Sequence, residues 1–79
     1  MRLDKYLKVS RIIKRRTVAN EACDAGKVEV NGKVARASYD VKVGDVIKIT
    51  LGAKENSYKV LAITEHALKE DAAKMYEAL

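Results

Sequence analysis

Seven of the first sixteen residues are arginine or lysine: Arg2, Lys5, Lys8, Arg11, Lys14, Arg15 and Arg16. Asp4 alone opposes them, so the stretch carries +6. Residues 17–64 add +1, from seven bases and six acids, and residues 65–79 add −2. The net +5 of the chain is therefore concentrated at one end rather than spread over the surface. The chemistry open to such a cluster is noncovalent. Ammonium and guanidinium groups hold polyanions, and nucleic acid is the commonest of these. The two bases differ in what they offer: a guanidinium fork reaches two phosphate oxygens at once, whereas lysine supplies a mobile point charge.

Other chemistries lack their parts. No nucleophile, base and orienting residue can be assembled, and no strand-to-helix glycine loop is present; Gly26, Gly32 and Gly44 read as turn formers. His66 is the sole histidine and has no cysteine or acid at ligand spacing, so no metal site is expected. The residues point away from an enzyme and from any cofactor. Cys23, the single cysteine, excludes an internal disulfide and fits a reducing cytoplasm. There is no apolar run of about 18 residues, so no membrane span is expected.

The basic residues must be positioned by short elements. Leu3, Tyr6, Leu7 and Ser10 share one side of a helix, with Lys5 and Lys8 opposite. A second helix is expected over residues 16–25, with Val18, Ala19, Ala22, Cys23 and Ala25 inside and Asn20, Glu21 and Asp24 outside; Gly26 suits its end. Between the helices, Ile12 and Ile13 are expected to reach the core. The pattern then changes to period two. Val28-Glu29-Val30 reads as a strand, Asn31-Gly32 as a hairpin turn, and Val34 as the start of the return. Gly44-Asp45 is a further turn before Ile47, Ile49 and Leu51, and residues 52–56 read as a loop before a strand over residues 57–64. Ala72, Met75, Tyr76 and Leu79 then form a helical stripe. The expected fold is α+β: two N-terminal helices on a small, mostly antiparallel sheet, with a short C-terminal helix. Seventy-nine residues without proline or a linker suggest one domain with a thin core.

Four blocks acquire a joint meaning. Arg2-Leu3-Asp4-x-x-Leu7, Arg16-x-x-Ala19, Gly26-x-Val28-x-Val30-Asn31-Gly32 and Val41-x-x-Gly44-Asp45-x-Ile47 resemble, in order and spacing, the RNA-binding domain named for small-subunit ribosomal protein S-four. They cover about residues 2–51, leaving 52–79 as an extension. Within it, Ala62-Ile63-Thr64-Glu65 and Ala72-Ala73-x-x-Tyr76-Glu77 resemble the bacterial heat-shock-protein-fifteen group, and the compact form is most similar to its RqcP (YabO) family. That resemblance implies a cytoplasmic ribosome-associated quality-control factor, expected to be a monomer. Such a factor binds large ribosomal subunits obstructed by peptidyl-tRNA and contacts rRNA and tRNA. It acts with an RqcH-type factor while an alanine tail is added to the stalled chain.

On the matched motif, Arg2 and Arg16 are the first choices for RNA contact. Lys5, Lys8, Arg11, Lys14 and Arg15 extend the field, and Lys27 and Asn31 form its edge. Asp4 would repel RNA, so its expected role is to orient the arginines or to favour the positive end of the first helix. Two positions depart from the family pattern. Arg15 stands where a capping Ser or Thr is common, and Ala37 where many members have proline. Tyr39 is compatible with base stacking or with a structural role. Competing readings are an rRNA-binding assembly or heat-shock recycling factor, a module whose basic strip binds an acidic protein, and an enzyme subunit.

Overall fold

A computed structural model describes residues 1–65 and 67–79; the expectation for His66 lies outside the described residues. Helix α1, Leu3–Val9, buries Leu3, Tyr6 and Leu7 and leaves Lys8 outside, as its periodicity requires. The segment after it is not helical. Arg11 adopts φ 64°, and the Ile13 N–H donates to the Leu7 carbonyl at 3.0 Å, which turns Ile13 into the core. Helix α2, Arg16–Asp24, follows and packs across α1. Its inner face is made of the small residues Ala19, Ala22 and Cys23, which let the two helices approach closely. Val18 and Ala25 are exposed rather than inside, and Asn20 is half-buried rather than outside. The helix is rotated so that Asn20 meets Asp4, and that polar contact sets the face.

Five strands form one sheet in the order β2-β1-β3-β4-β5, with every neighbouring pair antiparallel. Strands β1 (Val28–Val30) and β2 (Lys33–Val34) are joined by Asn31 and Gly32 at φ 53° and 84°, the pair of positive angles that the tight hairpin turn needs. Strand β3, Val46–Leu51, is central, with Ile47 and Ile49 directed into the core. Its partner β4 spans Lys54–Val60, earlier than the expected 57–64. Leu51 pairs with Lys54, so Gly52 and Ala53 alone make the turn, and the expected loop through Asn56 is strand.

The C-terminal stripe differs most from expectation. Helix α3 is a single turn, Lys69–Ala72, and Tyr76–Ala78 form strand β5 beside β4. Ala72 and Met75 are buried as a helix would have them, but Leu79 is exposed. Cross-strand packing outweighs the periodicity: the Tyr76 ring meets Tyr58 edge-on, at 5.3 Å and 86°. The Met75 carbonyl also accepts the Leu61 N–H at 2.8 Å. Among the described residues, no helix is long and apolar enough to cross a membrane.

Cys23 lies in the core between the helices at 2 % exposure. Burial, helped by the charges of Asp4 and Asp24, pushes its thiol up to about 11. Its alkylation at neutral pH is therefore expected to be slow in the folded protein and fast in denaturant, because the thiolate is the reactive form. Equal rates in a thiol-trapping time course would contradict this packing.

Candidate nucleic-acid interface

The start of α1 is fixed from outside the helix. Arg2 is extended and its backbone forms an isolated antiparallel β-bridge with Asp40, while the N–H groups of Leu3 and Asp4 donate to the carbonyls of Tyr39 (2.8 Å) and Ala37 (3.2 Å). The path of residues 35–40, where Ala37 departs from the family pattern, thus closes against the helix and buries Ala37. This sets Asp4 at the second helical position, facing α2.

The Asp4 carboxylate collects four partners. Arg2 donates through Nε to Oδ1 at 3.2 Å and through Nη2 to Oδ2 at 3.4 Å. Arg16 approaches both oxygens at 3.5 Å. Asn20 Nδ2 donates to Oδ2 at 3.1 Å, and the Lys5 N–H donates to Oδ1 at 2.8 Å. Burial by itself would raise the pKa of Asp4, but the bonds from Arg2, Asn20, the Lys5 N–H and Arg16 together hold it below the usual carboxylate value. The Asp4 side chain is 3 % exposed, whereas those of Arg2 and Arg16 are 51 % and 48 % exposed. One inward acid therefore fixes two guanidinium groups whose outer edges face solvent. Such a pair can meet a phosphate without first ordering its side chains.

The other basic residues fall into different surroundings. Lys5 is half-buried and ion-paired with Glu65. Lys8, Arg11 and Lys14 are exposed and line a groove opposite Glu65 and Lys69. Arg15 is the N-cap of α2 and makes no side-chain cap bond, in keeping with its lack of an acceptor. Lys27 is exposed beside a shallow hollow lined by Val18 and Leu51. Asn31 is engaged internally: its Nδ2 donates to Asp45 Oδ1 at 3.0 Å, and its Oδ1 accepts the Val46 N–H at 3.0 Å. Asp45 also accepts from the Tyr39 hydroxyl at 3.2 Å and the Lys42 N–H at 2.9 Å. Tyr39 takes the structural alternative in the free chain, and Asn31 braces the turn from which it projects.

Two residues of this surface lie outside the sequence expectations, Asn20 beside Asp4 and Lys69 in the groove. Asn20 had a signal, because it follows Arg16 by four residues and so shares its helix face. Lys69 has no local signal, because its place beside Lys8, Arg11 and Lys14 joins positions far apart in the sequence.

Residues 1–47 match the S4 domain model. The chain is 57 % identical, over its full length and 90 % of the relative, to an RQC P-site tRNA stabilizing factor of Streptococcus pneumoniae. It is 49 % identical to the protein of the same description from Bacillus subtilis, again over its full length and over 92 % of the relative. A trimeric structure of Heat Shock Protein 15 from Vibrio cholerae superposes with a TM-score of 0.90 at 30 % identity, covering the whole of this chain and 81 % of that one. With the helix pair, the Asp4-centred arginines and the sheet order in place, the chain belongs to the S4-domain proteins, in the family of the RQC P-site tRNA stabilizing factors.

Proposed function

We propose that this protein is a non-enzymatic RNA-binding factor of ribosome-associated quality control. It binds large ribosomal subunits obstructed by peptidyl-tRNA, contacts rRNA and tRNA, and holds the P-site tRNA in place. With an RqcH-type partner it supports alanine tailing of the stalled chain. The observation that carries this reading is the buried Asp4 holding Arg2 and Arg16 with their outer edges exposed, in a chain that matches P-site tRNA stabilizing factors over its full length. Recognition is of shape and phosphate. A-form RNA hides its base edges in a deep, narrow major groove and presents phosphates and 2′-hydroxyls instead. Arg2 and Arg16 set the register, Lys5, Lys8, Arg11, Lys14 and Arg15 supply the surrounding field, and Lys27 forms its edge. Asn31 keeps that edge in shape. Asp4 orients the arginines.

If about five phosphates are neutralised, the log–log salt slope on RNA is expected to be roughly −3.5 to −4.5 by counterion release. A slope near zero in a binding titration would reject the phosphate model. The cellular reading is tested by pull-down of the tagged protein and its Arg16→Ala variant. The wild type is expected to recover large subunits with tRNA and an RqcH-type protein, and the variant to lose all three. Likeness to Heat Shock Protein 15 favours a second reading, a recycling or assembly factor. Recovery of free large subunits without tRNA would select it.

A further inference from the structure

The connection between α1 and α2 faces Glu65, Ala67 and Lys69 at the end of α1 remote from Arg2. Between them lies a groove of about 580 Å³ walled by Lys8, Arg11, Lys14 and Lys69. Among the described residues, no ion pair joins any of these four cations to a carboxylate. The acid on the groove wall, Glu65, is itself paired with Lys5. Val9 and Ala67 add an apolar wall against which a ribose or base can rest.

Arg11 is the informative residue. It holds φ 64°, a left-handed conformation that glycine adopts freely and that residues with a β-carbon adopt at a cost. Asn31, the other non-glycine residue with positive φ among those described, uses its side chain to brace its own turn. Arg11 makes no such bond among the described residues. Its backbone N–H donates to the Lys8 carbonyl at 3.0 Å, which any residue could do. A left-handed position that holds a long cation, with no side-chain partner among the described residues, leaves that cation open to a ligand outside the chain.

We propose that this groove is a second phosphate site, which takes a phosphodiester of the same RNA that meets Arg2 and Arg16. The proposal rests on the RNA-binding reading above. Helix α1 separates the two sites by roughly 10 Å, so one strand can occupy both. Lys69 lies beyond the residues that match the S4 domain, so the C-terminal extension contributes a wall to the RNA surface. The separate phosphate contacts would fix direction as well as affinity, since one anchored phosphate leaves a strand free to swivel.

The test titrates a fluorescent RNA hairpin against the wild type, Arg11→Gly, Lys69→Ala and Arg16→Ala over a range of salt, with a melting curve for each. Arg11→Gly is expected to melt no lower than the wild type, because it relieves the backbone, and yet to bind RNA less well. In both groove variants the salt slope should become shallower by about 0.7–0.9, one phosphate's share. An unchanged slope in either groove variant, with Arg16→Ala still weakened, overturns the groove and leaves the RNA reading standing. A wild type that does not bind the hairpin defeats both. A poly-glutamate peptide that binds the wild type more tightly than RNA does, and loses affinity in the groove variants, would assign the groove to an acidic protein and overturn the proposal.

Discussion

Asp4→Ala is expected to bind RNA about tenfold more weakly than the wild type, although it raises the net charge from +5 to +6. Charge counting gives the opposite sign, because a more positive protein should hold a polyanion more tightly. The geometry decides the matter. Removing the carboxylate releases Arg2 and Arg16 together, and both must then be ordered at the moment of binding. It also strips Asn20 and the Lys5 N–H of their acceptor in a part-buried setting, which costs the fold about 1–3 kcal/mol. Asp4→Asn keeps the shape and one acceptor oxygen, so its binding should fall between the two. Tighter binding by Asp4→Ala in a titration would remove the orienting role.

The same carboxylate sets an acid limit. Its folded pKa lies below the ordinary 3.8, so the unfolded chain takes up the proton first as pH falls. The contribution of Asp4 is therefore complete above that value and is lost as pH drops through the lower, folded value. Urea unfolding should show wild type and Asp4→Asn well separated at neutral pH and converging below the window. A constant gap would mean that the charge of Asp4 contributes nothing to folding.

What was legible in the sequence follows from the range over which each feature is determined. The two helices and the Asn31-Gly32 turn depend on neighbours a few residues away, and they stand where periodicity and turn chemistry put them. The stripe of Ala72, Met75, Tyr76 and Leu79 is also local, but four apolar residues fit a short helix or a turn followed by a strand. The choice falls to Tyr58 and Leu61, which are distant in sequence. The pairing of Asp4 with Arg2 and Arg16 is legible because the matched blocks carry all three residues. Asn20 shares the face of Arg16 by its spacing, but the apolar pattern of α2 alone places Val18 inside and Asn20 outside. The pairing of Lys5 with Glu65 bridges 60 residues and has no local trace.

Tyr6 carries the second large effect, and its two halves should separate cleanly. The residue is fully buried, and its hydroxyl donates to the Met75 carbonyl at 2.8 Å, tying α1 to the C-terminal extension. Tyr6→Ala empties the largest fully buried side chain from a thin core and should cost about 3–5 kcal/mol. A 79-residue domain has roughly 4–12 kcal/mol in total, so the variant is expected to be partly or wholly unfolded in a thermal melt. Tyr6→Phe should cost only about 1 kcal/mol. The Met75 carbonyl it deserts still accepts the N–H groups of Leu61 at 2.8 Å and Ala62 at 3.2 Å. RNA affinity of Tyr6→Phe should equal that of the wild type, because α1 stays in place. Burial, with a smaller contribution from the charge of Tyr76, raises the phenol well above its ordinary 10.0. The unfolded chain therefore loses this proton first, and stability present below pH 10 declines as pH rises through the interval between the two values. Tyr6→Phe lacks that titration, so its stability should fall less steeply than the wild type's in alkaline urea melts. Parallel curves would mean that the hydroxyl is open to water and that the tie to Met75 is absent in solution.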